Sequence, residues 1–254
     1  MTYIKSEREI ILMKQAGKIT AKALEEIKKS IRPGVSTKEL DDIAKNVIEK
    51  SGAKASFLNY KGFPASICTS MNSEVIHGIP SKNAILKEGD IISIDIGSCY
   101  KGYHADMAAT YPVGKINLNR QKIIDVTKES LYFALSMIKE GVNINLISST
   151  INEYISKHGY KILKGYQGHG IGSSLHEDPR IPNEPSDDNN IILKAGMTLA
   201  IEPMVVDGSG KSFIIDNEWT VVTKEKGDSA HFEHTIVVTR GGYEILTKIE
   251  EKNG

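Results

Sequence analysis

Four carboxylates and one histidine stand on short apolar or glycine-rich stretches of this 254-residue chain. Asp95 lies in IISIDIG, Asp106 in YHADMA, Glu202 in LAIEPM and Glu233 in HFEHTIVV. His169 lies in GHGIG, where the absence of side chains lets the backbone approach a ligand closely. An ionised carboxylate in an apolar strand is unfavourable unless it is paired or coordinates a metal ion. Each residue alone could be an ordinary strand or core residue, so it is the set of five that indicates a site.

The two aspartates flank a turn. Period-two alternation places Ile92, Ile94 and Ile96 of IISIDIG on one face of a strand and Asp95 on the other. A hairpin centred on Tyr100 and Lys101 would put Asp95 directly opposite Asp106, with their Cβ atoms about 5 Å apart. Like charges so placed are destabilising without a cation, and no lysine or arginine has the right register. A solvated hairpin without a metal is the alternative for this pair taken alone.

The donor set of two aspartates, two glutamates and one histidine is hard and rich in oxygen. It suits two divalent ions such as Mn, Fe or Co better than a thiolate-type zinc or copper site, although Zn is also an option. Two such ions about 3.5–4 Å apart convert a bridging water into hydroxide near neutral pH and stabilise a tetrahedral intermediate. The set therefore predicts hydrolytic chemistry.

Two capping boxes predict the first helices that must support these strands. Ser6 with Glu9, and Ser36 with Glu39, each precede an apolar stripe of helical period. Short apolar runs broken by glycine, proline and asparagine predict strands and hairpins elsewhere. The remaining predicted elements are strands within about 56–112, helices over 119–140 and 143–158, and strands within 165–247.

The order helix, helix, strands therefore occurs twice, and the residues repeat with it. When Ile31–Lys54 is placed over Ile138–Lys161 at a constant offset of 107, seven of the 24 positions are identical. Part of this identity could reflect chemistry that many helices share. We predict an α+β chain with pseudo-symmetric halves at about 6–112 and 119–247. A site is expected at the seam between the two halves.

The composition excludes several classes of protein. Basic and acidic residues number 32 each, so no net charge draws the chain to nucleic acid or to an anionic membrane. Two cysteines, Cys68 and Cys99, do not support a disulfide framework and favour a reducing compartment. The first residues do not form a signal peptide, and no stretch approaches the ~18–20 apolar residues of a membrane span. We predict a cytoplasmic location, with no binding to nucleic acid or membrane.

The five residues occur together with the segments HGIP, IDIG, GYHAD, GHGIG, LHEDP, AIEPMV and EHTIVVT. In this combination the chain resembles type I methionine aminopeptidases of the bacterial kind. The resemblance extends from about Glu9 to Thr247. Only 25 residues separate His176 from Glu202, too few for the helical insertion of the type II enzymes. No cysteine-rich zinc segment precedes Ser6, so the short form without an N-terminal extension is expected.

This resemblance implies the pita-bread fold, in which two pseudo-symmetric halves combine an antiparallel sheet with outer helices. The whole chain, 1–254, would form a single metallopeptidase domain. The implied reaction removes the initiator methionine from nascent proteins when the second residue is small, by attack of a dimetal-bridging hydroxide on the first peptide bond. The implied partners are the N-termini of nascent polypeptides, which the protein would bind at the ribosome or elsewhere. The implied oligomeric state is a monomer.

The resemblance also implies roles for the five metal-binding residues. Asp95 would chelate one ion, and Asp106 and Glu233 would bridge both ions. His169 and Glu202 would complete the shell of the other ion, with Glu202 also acting as a proton shuttle.

Two further histidines and an apolar pocket complete the implied site. His176 would hydrogen-bond the scissile peptide and stabilise developing charge. His77 would hold the substrate backbone, the alternative being a loop histidine that caps a turn. No role is assigned to His104 or to His234, which should point to the opposite face of its strand. A thioether packs well against aromatic edges and a soft sulfur, and the implied methionine pocket consists of Tyr60, Phe63, Cys68, Leu175 and Trp219.

Several positions depart from the pattern of the family. The apolar substitutions in and near the pocket leave methionine as the expected substrate, whereas two missing hydroxyls bear on how the metal ligands are supported. The departures are Phe57 in place of cysteine, Phe63 in place of tyrosine, Leu175 in place of phenylalanine, and Gly97 and Met107 in place of threonine.

Two alternatives share this fold. Proline-specific dipeptidases and aminopeptidases have the same ligand set, but they carry a large preceding domain and other substrate-binding residues. Chaperone and growth-regulating proteins with this fold are binding modules that have lost their metal ligands. All five ligands and both histidines are present here. We therefore expect an active methionyl aminopeptidase, whose physiological metal and second-ion occupancy the sequence leaves open.

Overall fold

The computed structural model describes residues 4–186 and 190–248. In this part of the chain there are four α-helices: α1 (Glu7–Ser30), α2 (Thr37–Lys50), α3 (Leu118–Ser136) and α4 (Ile144–Lys157). The strands are β1 (Lys54–Ala55), β2 (Ile67–Met71), β3 (Glu74–Ile76), β4 (Ile91–Tyr100), β5 (Tyr103–Pro112), β6 (Lys161–Ile162), β7 (Gln167–Gly170), β8 (Glu177–Pro182), β9 (Thr198–Ile201), β10 (Met204–Val206), β11 (Ser212–Ile214), β12 (Val221–Thr223), β13 (Ser229–His231), β14 (Glu233–Val238) and β15 (Tyr243–Ile245). None of the helices within these residues combines the length and apolar character that a membrane crossing requires.

Local hydrogen bonds determine where the first two helices begin. The backbone N–H of Ser6 donates to the Glu9 carboxylate at 2.8 Å, and that of Ser36 donates to the Glu39 carboxylate at 2.9 Å. Each serine oxygen accepts in return from the backbone N–H of its glutamate. These are the two predicted capping boxes, and they satisfy amide donors that a helix leaves without partners in its first turn.

A nine-stranded antiparallel sheet forms the centre of the molecule. Its main path is β1-β4-β5-β14-β9-β7-β8, with β2 also paired to β4 and β15 to β14. Buried residues of α1 and α2 pack on Ile92, Ile94 and Ile96 of β4, and those of α3 and α4 pack on β9 and β14. Each helix pair therefore covers one half of the sheet, which confirms the predicted α+β class with outer helices. Two three-stranded sheets, β13-β10-β6 and β11-β12-β3, complete the fold.

Matching hydrogen bonds support the internal repeat. The N–H of Gly34 donates to the carbonyl of Leu86 at 2.8 Å, and the N–H of Gly141 donates to the carbonyl of Leu193 at 2.9 Å. Both residues of the second bond lie 107 positions after those of the first. This agreement supports our proposal of a single domain over 1–254, with halves at about 6–112 and 119–247.

The β4–β5 hairpin turns one residue later than the predicted centre. Its loop is Lys101-Gly102, with φ of 49° and 87°, because a two-residue hairpin loop with positive φ at both positions matches the twist of the strands. Asp95 therefore pairs with Ala108. The prediction that Asp95 lies directly opposite Asp106 was wrong, since the two are diagonal neighbours. Their carboxyl groups still lie within hydrogen-bonding reach of each other.

Candidate metal centre and active site

Four of the five predicted metal-binding side chains lie on strands of the large sheet, and the fifth directly follows another strand; these five strands are consecutive in the sheet. Asp95 lies on β4, Asp106 on β5 and Glu233 at the start of β14. Glu202 directly follows β9, and His169 lies on β7. Since neighbouring antiparallel strands hold their residues in register, residues far apart in sequence meet on one face.

The four carboxyl groups are strongly perturbed by their surroundings. Burial raises the pKa of Asp95 and that of Glu202 to about 7. Burial, reinforced by repulsion from the other carboxylates, raises the pKa of Asp106 and Glu233 well above the ordinary range. One oxygen each of Asp95, Asp106 and Glu233 is buried without a hydrogen-bond partner among the described residues. Carboxylates held together in this way need a cation, so the donor atoms fit divalent metal ions.

His169 presents one ring nitrogen to this cluster. Its Nδ1 lies 2.8 Å from the carbonyl oxygen of Gly170, which can only accept, so Nδ1 carries the proton. The lone pair is then on Nε2, which lies 3.6 Å from Oε1 of Glu202. A hydrogen bond of this kind sets the tautomer of a metal-binding histidine and the direction of its free nitrogen.

The ligand atoms form two overlapping groups. Asp106, His169 and Glu233 each offer an atom within 4.8 Å of the others, and so do Glu202, His231 and Glu233. Glu233 belongs to both groups, so the two groups are joined through its carboxylate.

His231 is a residue that the sequence reasoning missed. It is 1% exposed, and its Nε2 lies 3.5 Å from Oε2 of Glu202. Neither ring nitrogen has a hydrogen-bond partner among the described residues. Burial lowers the pKa of His231, which keeps the ring neutral. The sequence feature that could have predicted His231 as a site residue is its position two residues before Glu233. In an extended segment, two residues so spaced lie on the same side.

His176 lies beside the metal-binding residues. Its ring centroid is 4.2 Å from that of His169, and its ring stacks on Tyr60 at 5.3 Å. The Tyr60 hydroxyl lies 2.8 Å from Nδ1 of His176. If Tyr60 donates this bond, Nε2 of His176 carries the proton and can donate to a ligand. Partial removal from water, together with the nearby His169, lowers the pKa of His176, so the ring is neutral at pH 7.

His77 follows β3 with a positive φ of 58°. The next residue, Gly78, lies against β2 so closely that an added Cβ would be 2.0 Å from the Thr69 carbonyl oxygen. The His77 ring packs edge-on against Trp219, with centroids 6.4 Å apart. Burial, with a smaller effect of His231, lowers the pKa of His77 to about 4. The loop therefore holds a neutral imidazole at the site.

All twelve predicted site residues line one cavity of about 240 Å³. Its apolar wall includes the edge-to-face pair of Phe63 and Trp219, with ring centroids 5.1 Å apart. Phe57 and Lys61, to which no site role was assigned, also line the cavity. The twelve are Tyr60, Phe63, Cys68, His77, Asp95, Asp106, His169, Leu175, His176, Glu202, Trp219 and Glu233.

Two of the departures from the family pattern lie close together. A Cβ added to Gly97 would lie 3.1 Å from Cε1 of Phe57 and 3.0 Å from Cβ of Ser56. The large Phe57 and the small Gly97 are therefore complementary in volume. Met107 packs in the core between the sheet and the helices α1 and α2, away from the carboxylates.

The two histidines left without a role lie outside this cavity. His104 bonds to Ser56 through Nδ1 at 2.9 Å. His234 bonds to the Tyr132 hydroxyl at 3.0 Å and to Thr247 Oγ1 at 2.9 Å. His234 therefore faces away from Glu233, its neighbour in sequence, as the strand alternation predicts.

Comparison with known proteins agrees with this geometry. The sequence profile of metallopeptidase family M24 matches residues 11–240. Methionine aminopeptidase 1 of Bacillus subtilis is 49% identical over 249 residues, which cover 98% of this chain and 100% of that protein. The chain belongs to the methionine aminopeptidases of metallopeptidase family M24. Membership of a metallopeptidase family confirms the use of divalent metal.

Solved structures confirm the pita-bread fold of this methionine aminopeptidase family member. The methionine aminopeptidase of Thermotoga maritima matches with a TM-score of 0.96 and 42% identity, covering 98% of this chain and 100% of that one. The prolidase of Pyrococcus horikoshii matches with a TM-score of 0.80 and 26% identity, covering 98% of this chain and 64% of that one. The greater similarity to methionine aminopeptidases favours that family over the proline-specific enzymes.

Proposed function

We propose that the protein removes the N-terminal methionine from polypeptides whose second residue is small. The observation that carries this proposal is that one cavity is lined both by an apolar wall and by the five metal-binding side chains. The apolar wall suits a methionine side chain, and the adjoining polar groups suit the peptide bond that follows it. The metal-binding set is Asp95, Asp106, His169, Glu202 and Glu233.

Two divalent ions are proposed, with Mn, Fe or Co preferred by the oxygen-rich donors and Zn possible. The membership of Glu233 in both ligand groups supports its proposed role as a bridge between the ions. By the family resemblance, Asp106 would be the second bridging residue. Asp95 would chelate one ion, and His169 and Glu202 would complete the shell of the other. When bound, such ions polarise a carbonyl oxygen and acidify a bound water.

The remaining steps belong to the side chains. Glu202 is proposed to accept a proton from the attacking water and to deliver it to the leaving amino group. His176, with Nε2 protonated and Nδ1 held by Tyr60, would donate to the peptide oxygen as negative charge develops. His77, which lines the same cavity, would hold the substrate backbone. Cleavage of the first peptide bond then releases methionine and a shortened chain.

The methionine pocket is proposed to hold the thioether between aromatic edges and a sulfur. Phe63 and Trp219 meet edge to face, while Cys68 and Leu175 are 4% and 2% exposed. Sulfur packs favourably at the edge of an aromatic ring. With methionine in this pocket and both histidines on the next peptide unit, little volume is left for a large second side chain.

The cellular setting is also proposed. The protein would act as a monomer in the cytoplasm, on the N-termini of nascent polypeptides, at the ribosome or elsewhere. Both cysteines are free thiols, which suits a reducing compartment.

The test is kcat/KM on Met-X-Ser-Lys peptides, with Ala-Pro-Ser-Lys as the control. Glycine, alanine, serine, cysteine, threonine, proline or valine at X should be accepted. Lysine, leucine or phenylalanine should lower the rate by about 10²-fold or more, because a displacement of ~1 Å can lower it by that factor. A flat profile would contradict the proposal, and preference for Ala-Pro would favour a proline-specific enzyme. Absence of turnover with metal bound would favour a binding module.

A further inference from the structure

A buried ion pair joins the N-terminal segment of the chain to the residue that follows His176. Nζ of Lys5 is 2.7 Å from Oε2 of Glu177, and the two side chains are 2% and 15% exposed. Lys5 directly precedes the N-cap of α1, whereas Glu177 begins β8, 172 positions later in sequence. Lysine and glutamate side chains are rarely buried unless they are paired, and breaking a buried pair is strongly destabilising, so this pair constrains both segments.

The Glu177 carboxylate also organises its own loop. Oε1 accepts from the backbone N–H of Ser174 at 3.0 Å and from the Ser173 hydroxyl at 3.3 Å. Burial raises the pKa of Glu177, but the bonds from Lys5 and Ser174 outweigh it and hold the pKa below its ordinary value. Glu177 therefore carries charge and joins Lys5 to the segment 172–177, which contains His176.

Two glycines leave room for the N-terminal segment. A Cβ added to Gly172 would lie 2.3 Å from Cε of Lys5, and one added to Gly196 would lie 2.7 Å from Cγ2 of Ile4. The backbone N–H of Lys5 donates to the carbonyl of Gly196 at 2.9 Å. Lys5 thus occupies a slot between two loops, and its ammonium group has a defined position.

We propose that Lys5 is a positioning residue for His176, acting through Glu177 and the segment 172–177. The buried ion pair holds this segment so that the His176 ring stays between Tyr60 and His169. The inference rests on the proposed role of His176 in peptide hydrolysis. Lys5 itself is not among the described residues that line the cavity of the site.

The test compares Lys5→Met with wild type, both loaded with Mn²⁺, on Met-Ala-Ser. Loss of the ion pair lets the loop shift, so kcat should fall about 10–100-fold, as expected for a displacement of ~1 Å. KM should change less than about threefold, since the methionine pocket is retained. Metal content should equal that of wild type by elemental analysis. The matched control is Lys14→Met, which breaks the exposed 2.8 Å pair with Glu244 and should leave kcat unchanged.

A double-mutant cycle separates positioning from general stability. In the His176→Ala background, Lys5→Met should change kcat by less than about twofold, because effects that act through one group are not additive. All rates are measured well below the thermal midpoint of each variant. A role limited to fold stability would shift the midpoint and leave kcat unchanged.

Wild-type kcat in Lys5→Met, or an equal loss of kcat in both backgrounds, would overturn the inference. If Lys5→Met does not fold, Lys5→Met/Glu177→Gln removes both buried charges and keeps the shape of the pair. This double variant should fold and still have a reduced kcat, and wild-type kcat in it would overturn the inference as well. Failure of wild type to cleave Met-Ala-Ser would instead contradict the proposed function.

Discussion

Replacement of His231 by leucine should weaken metal binding without removing any predicted ligand. His231 is 1% exposed, and its Nε2 lies 3.5 Å from Oε2 of Glu202, just beyond a normal hydrogen bond. A small rotation of either side chain brings the ring N–H onto the carboxylate. A hydrogen bond to a charged group contributes about 1.5–3 kcal/mol. Loss of such a supporting partner should therefore raise the Kd for Mn²⁺ about 10–100-fold.

The assay is calorimetric titration of Mn²⁺ into metal-free protein. His231→Gln keeps an N–H donor of similar reach and should bind Mn²⁺ within about fivefold of wild type, since the supporting bond is retained. The matched control is His234→Leu, three residues along the chain. His234 bonds to Tyr132 and Thr247 on the opposite face, so this variant should keep the wild-type Kd even if its thermal midpoint falls.

The reasoning would be refuted by wild-type affinity in His231→Leu, with the fold shown to be intact by circular dichroism. Equal weakening in His231→Leu and His234→Leu would also refute it, because the effect would then come from general destabilisation. Complete loss of both ions would show that His231 is itself an essential ligand.

Activity should depend on divalent metal. EDTA should abolish cleavage of Met-Ala-Ser, and addition of Mn, Fe or Co should restore it. Full activity in protein shown to be metal-free would contradict the mechanism. His176→Ala should lower kcat about 10²–10³-fold and keep its metal, whereas Glu233→Ala should lose metal. Kinetics and elemental analysis measure both effects, and loss of metal in His176→Ala would contradict the assigned role of His176. Gly97→Thr should lower the free energy of unfolding by about 1–3 kcal/mol through overlap with Phe57. Adding Phe57→Cys should recover part of this loss, as measured by urea unfolding. If the two substitutions changed the free energy of unfolding additively, the proposed overlap of the introduced threonine with Phe57 would be contradicted.

Much of the secondary structure could be predicted because its causes are local. The capping boxes at Ser6 and Ser36 involve groups three residues apart, and both helices begin where these boxes predict. The alternation around Asp95 places its isoleucine neighbours in the core below α1 and α2, as expected. Short-range hydrogen bonds and side-chain period are readable without a partner strand.

The register of the β4–β5 hairpin shows the first limit of this reasoning. The alternation placed Asp95 and Asp106 on a common face, but it could not choose between turn centres one residue apart. The choice was made by the turn at Lys101-Gly102, where both residues adopt positive φ. Glycine at the second position allows this conformation, and the strand twist favours it.

The residue types by themselves determined that this chain needs a cation, because Asp95, Asp106, Glu202 and Glu233 cannot all remain charged in apolar strands. Tertiary structure alone decided how they meet, through the strand order β4-β5-β14-β9-β7. It also placed His231 against Glu202 and joined Lys5 to Glu177. Such contacts form only when the strands and helices pack together and exclude water, because their energy depends on burial and on partners far apart in the chain.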